Sequence, residues 1–211
     1  MVLPLVTTFV SGAFAVAVAM RYMRKRRPSH LAWAVGLLLF AVAALCGFLA
    51  RTAGATDLEY RLFYLFGAIA NVAWLALGTV FIVAPRYGRV ALAAVLALTV
   101  AAVYAVFSTP VDLAVAVDTG RGFPDGSLPR ILAGIGSGLG SLVLIGGALW
   151  SAWIFVRRRD QGRRALANVI IAAGVFIAAA GGTVAFTGAS GILELTNLIG
   201  VSVMFVGFLL A

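Results

Sequence analysis

Apolar residues in this chain come in seven blocks of about twenty, and few folds can hold seven such blocks. An α-helix rises about 1.5 Å per residue, so roughly twenty apolar residues cover the ~30 Å hydrocarbon core of a bilayer. The blocks read as roughly 2–20, 31–50, 62–84, 90–108, 131–155, 165–186 and 192–211. The expected fold class is an all-α membrane protein, a seven-transmembrane-helix bundle forming one domain over residues 1–211. Composition agrees: 63% of residues are hydrophobic and 11% charged, with a mean hydropathy of +1.10. A soluble domain is nearer half apolar and a quarter charged.

The net charge of +9 would suit a nucleic-acid binder, but the positions of the charges exclude that partner. The basic residues lie in short runs between apolar blocks, where they set orientation and meet anionic headgroups. The expected partners are therefore the bilayer and its anionic lipids, together with other membrane proteins or further copies of the chain. Arg21–His30, Pro85–Arg89 and Val156–Arg164 hold twelve of the sixteen Lys and Arg residues. Arg51–Arg61 and Thr109–Arg130 hold four, and Thr187–Gly191 holds none. By the positive-inside rule the first set is cytoplasmic, which puts the N-terminus outside and the C-terminus inside. Six of the seven acidic residues, which played no part in that count, then fall on the outer side; Asp160 is the exception. Fifteen of the sixteen basic residues are Arg, which with heavy Ala, Gly and Val usage points to the inner membrane of a prokaryote with a GC-rich genome. Val2–Met20 is expected to be retained rather than cleaved as a signal peptide, because its positive charges follow it. No soluble domain is expected, since the longest cytoplasmic connection is about ten residues.

Chemistry is mostly excluded by residue count. One His (His30) and one Cys (Cys46) cannot converge as a zinc site, and neither an internal disulfide nor a C-x-x-C motif is available. His30 at the membrane edge is badly placed to serve a serine nucleophile. Seven spans resemble the microbial rhodopsins in number, but those carry retinal on a lysine of the last helix. The only lysine here is Lys25, in a connection. No cofactor or metal is expected. The run Gly134-Ile-Gly-Ser-Gly-Leu-Gly140 lacks the strand that a phosphate-binding loop requires, so helix packing is its expected role.

The polar residues that remain form two groups. Glu194, Arg61, Glu59 and Arg130 begin spans on the outer side, and a cluster of Glu194, Arg61 and Arg130 around an outer vestibule is the candidate site. Structural ion pairs or snorkelling are the competing reading. Asn71, Asn168 and Asn197 lie within spans, where interhelical hydrogen bonds are the bland alternative to a binding role. Trp33, Tyr60, Tyr64, Trp150 and Trp153 are expected at the interfaces, and Trp74 and Tyr104 to pack. The glycines of the fifth span and Gly174, Ala178 and Gly182 of the sixth suggest that these two helices are central.

Shifting the chain by 135 residues lays 24–59 on 159–194 and matches ten of 36 positions, Gly47/Gly182 and Glu59/Glu194 among them. Spans one to three and five to seven would then be parallel three-helix repeats with span four as linker. In this 3+1+3 topology the chain resembles the SWEET sugar facilitators. Asn71 and Asn197 fall on the helices where that family places substrate-binding asparagines; the family's Pro-Gln pair is absent. The segments Tyr60–Gly67, Phe81–Arg86 and Gly147–Trp153 are similar to those of small seven-span bacterial membrane proteins, a resemblance that implies fold and location only.

Three functional expectations follow. The first is a non-enzymatic accessory or sensory subunit working with other proteins. The second is a small-solute facilitator, which requires a polar cavity between the two halves near mid-membrane. The third is an intramembrane lipid-modifying enzyme built on Glu194 and the arginines.

Overall fold

In the computed structural model, residues 2–119, 121–157, 162–185 and 190–210 are described. Among them 90% are helical and none is in a strand, and seven helices are long and apolar enough to cross a membrane. We label them α1 (Leu3–Lys25), α2 (Pro28–Thr52), α3 (Asp57–Val83), α4 (Gly88–Ser108), α5 (Leu113–Thr119), α6 (Leu128–Arg157), α7 (Gly162–Ala185) and α8 (Ser190–Leu210). The helix α5 is a single short segment in the connection between α4 and α6.

Local chemistry sets the helix ends. Proline stands in the first turn of α1, α2 and α6, where its missing N–H would have no intrahelical partner. Arg26 ends α1 in the left-handed conformation, with φ 50°. Thr56 and Glu59 close α3 with a reciprocal capping box: the Glu59 N–H donates to Thr56 Oγ1 at 3.3 Å, and the Thr56 N–H donates to Glu59 Oε2 at 3.0 Å. Pro85 ends α3, because proline disfavours the helical conformation in the residue before it.

Six of the long helices form a closed ring in the order α1, α2, α3, α6, α7, α8 and back to α1. All six contribute to one apolar core: Phe14 and Val18 from α1, Leu37 from α2, Leu75 from α3, Leu144 from α6, Val175 from α7, and Val201, Met204 and Phe208 from α8. Phe14 and Phe205 stack at 4.9 Å within it. The helix α4 lies outside the ring, against α3 and the start of α6. Only 17% of its apolar stretch is buried, against 50% for α3, the most buried of the spans.

Two expectations about packing are corrected. Only 22% of the apolar stretch of α6 is buried, so α6 is not central. Its glycines divide between two faces: Gly136 and Gly140 touch α3, while Gly134, Gly138 and Gly146 have open space where a Cβ would stand. The sixth span behaves more as expected, because Gly174 lies against Gly200 of α8 where the two backbones meet. The aromatic residues also differ. Tyr60 and Tyr64 are buried, and Tyr104 is 70% exposed because it points outward from the peripheral α4.

A second core sits at the end of the bundle where α3 begins. Tyr60, Tyr64, Leu65 and Ile69 of α3 pack there against Ala102 and Val106 of α4, Leu132 and Ala133 of α6, and Phe123 from the preceding connection. Phe123 inserts between the two tyrosines, with ring centroids at 5.6 and 4.9 Å. The Gly122 N–H donates to Tyr60 Oη at 2.8 Å. The long connection is thus pinned onto α3.

Below this cap, α3 and α6 each carry a π-helical stretch, Tyr64–Ala70 and Gly134–Leu139, and the two face each other. Gly136 lies against the Ile69 carbonyl, and Ser137 Oγ donates to the Ala68 carbonyl at 2.6 Å. A wide π turn leaves backbone carbonyls less regularly bonded, and here a hydroxyl from the neighbouring helix takes one of them.

Candidate functional site

The charged candidates are positioned by separate partners. Glu194 pairs with Arg51, joining the start of α8 to the end of α2. The Arg61 guanidinium donates to Asp57 Oδ2 at 2.7 Å, to the Thr109 carbonyl at 2.9 Å and to the Val106 carbonyl. These carbonyls end α4, so Arg61 supplies a cation at a helix C-terminus and ties the peripheral helix to the ring. Arg130 pairs with Asp125 in the pinned connection. Glu59 is held in the Thr56 capping box. Among the described residues no contact joins Glu194, Arg61 and Arg130, and each meets a nearer opposite charge. Each of the three is thus held in an ion pair of its own.

The three asparagines also separate. Asn71 is buried beneath the π stretch of α3 and accepts from the Val72 N–H at 2.6 Å. Its backbone carbonyl abuts Gly36 of α2, where a Cβ would lie only 2.8 Å away. Asn197 is half-buried on α8. Asn168 donates from its amide to the Arg164 carbonyl at 2.9 Å, and it lines a cavity.

That cavity has a volume of about 40 Å³ and lies at the seam where α2 and α3 meet α6 and α7. Its polar lining is Trp33 from α2, Thr79 from α3, Ser151 from α6 and Asn168 from α7, one side chain from each helix. Two glycines shape it. The Trp33 indole lies on Gly78, and the Thr79 methyl lies on Gly147, at positions where a Cβ would collide. Thr79 Oγ1 donates to the Leu75 carbonyl at 3.3 Å and keeps its lone pairs. Trp33 Nε1 is buried with no hydrogen-bond partner among the described residues, a state that costs about 1–3 kcal/mol. Ile82, 60% exposed, stands at the rim.

Sequence reasoning singled out Asn168 only as a polar residue within a span, and gave Trp33, Thr79 and Ser151 no part in a site. Trp33 looked like an interfacial ring, and a lone Ser or Thr in a membrane helix usually bonds its own backbone. Only the seating of these residues on Gly78 and Gly147 brings them together, and no spacing along one helix announces it. No family profile matches the chain, and neither a curated protein nor a solved structure does.

Proposed function

We propose that this chain is a non-enzymatic, multi-pass subunit of a prokaryotic inner membrane, oriented N-out and C-in, that acts by packing against other membrane proteins. The observation that carries this reading is the outer face of α6. Gly134, Gly138 and Gly146 present open backbone there, bordered by exposed Ile135, Leu139 and Leu142. Lipid chains gain little from such a groove, whereas a partner's transmembrane helix can approach it closely enough to add van der Waals contact and Cα–H···O bonds. The closed apolar ring behind α6 supplies a rigid support. Native-gel sizing after gentle extraction, with mass spectrometry of what co-migrates, tests this. A defined complex that Gly138→Leu dissolves while the chain itself stays folded is the expected result. A lone chain on the gel, unchanged by the substitution, overturns it.

A second reading, a small-solute facilitator of 3+1+3 topology, is favoured by the seam cavity. It lies between α1–α3 and α6–α8, with α4 outside both. Against it stands the apolar core filling the ring axis, where that reading requires a polar path. Solute flux in liposomes containing the purified chain separates the two readings.

A further inference from the structure

The seam cavity has a chemistry that neither ring packing nor a docking face on α6 requires. Four helices of a bundle with an apolar core each direct one polar side chain to one small space. In lipid, packing alone would favour apolar lining there. Asn168, Ser151, Trp33 and Thr79 lie four to six residues from the helix ends at Gly162, Arg157, Pro28 and Val83. At about 1.5 Å per residue the cavity is thus roughly 6–9 Å inside the bundle, within reach of water at that end.

The donor and acceptor inventory narrows the occupant. Ser151 lines the cavity, and its Oγ can both donate and accept. Asn168 keeps its Oδ1 and one N–H after bonding the Arg164 carbonyl. Thr79 keeps its lone pairs, and the unpartnered Trp33 N–H belongs to the same wall. None of the lining side chains is charged, so the cavity offers no counter-charge to an ion. On this measure one water needs about 10–15 Å³, so 40 Å³ accommodates roughly three waters or a solute of up to about four heavy atoms.

We propose that the seam cavity is a binding site for a small uncharged solute bearing amide or hydroxyl groups, recognised by Asn168 and Ser151 and seated against Trp33. Binding here is a claim separate from flux and from partner docking, and each can fail alone.

The test uses the full chain carrying Cys46→Ala and Ala148→Cys, which leaves Asn168 and Ser151 in place, labelled with methyl methanethiosulfonate, with urea and ethylene glycol as probe solutes at sub-denaturing concentration. Cys46 in the unaltered chain is the buried reference. The expected result is labelling at position 148 at least tenfold faster than at Cys46, slowed at least threefold by urea or ethylene glycol. Tetramethylurea, larger and without donors, should not slow it, and Asn168→Leu should remove the protection. If Ala148→Cys does not fold, Ile171→Cys, also in the lining, serves as the reporter. Labelling as slow as at Cys46 means a dry cavity and overturns the proposal. Absence of protection by both probes, or equal protection by tetramethylurea, overturns it as well.

Discussion

The contact between α7 and α8 offers the sharpest test of how this bundle is held. At Gly200 an added Cβ would stand 2.7 Å from the Gly174 carbonyl oxygen and 2.8 Å from the Ala178 Cβ. Ordinary contact begins at 3.4 Å, so Gly200→Ala must separate the helices by about 3.4 − 2.7 = 0.7 Å. A gap of ~0.5–1 Å forfeits a quarter to a half of each dispersion well, and about 50 atom pairs at ~0.15 kcal/mol then lose roughly 2–4 kcal/mol. Local repacking recovers part of this, giving an expected loss of about 1–3 kcal/mol. The hydrophobic transfer term is absent, because the separated helices would still lie in lipid. Gly146→Ala is the internal control, since nothing lies within 4 Å of its added Cβ. Alanine's better helix propensity should leave that variant unchanged or up to ~1 kcal/mol more stable. Unfolding by SDS in mixed micelles, followed by circular dichroism, measures both. If Gly200→Ala stays within ~0.5 kcal/mol of the parent, or Gly146→Ala falls equally far, close backbone approach is not what stabilises this pair.

Other contacts give smaller, separable effects. Tyr60→Phe removes the acceptor of the Gly122 N–H and should cost about 1–3 kcal/mol locally, read as faster amide exchange across 109–130 with the ring helices unchanged. Arg61→Gln removes the cation from the end of α4 and should cost about 0.3–2 kcal/mol in the same SDS titration, with exchange rising first at Phe107–Thr109. Arg51 is 44% exposed, so Arg51→Gln and Glu194→Gln should each cost at most ~1 kcal/mol, and the double variant no more than either alone; additive losses would deny the pairing.

The sequence by itself determined the solvent and the number of spans. Blocks of twenty apolar residues match the bilayer and need no tertiary information, and seven helices long and apolar enough to cross a membrane overlie the seven blocks. Side-chain partners were not legible. Glu194, Arg61 and Arg130 look alike in the sequence, each an ionisable residue opening a span. Arg61 and Arg130 meet acids close by in the chain, Asp57 and Asp125, whereas the partner of Glu194 is Arg51, fixed only once α2 and α8 stand at the same end of the ring. Glycine content misplaced α6 at the centre because a small residue allows close approach on any face; the ring order decides which face has a neighbour. The seam cavity is the clearest case. Trp33, Thr79, Ser151 and Asn168 each occupy an ordinary position on their own helices, and only the packing of four helices turns them into one polar space.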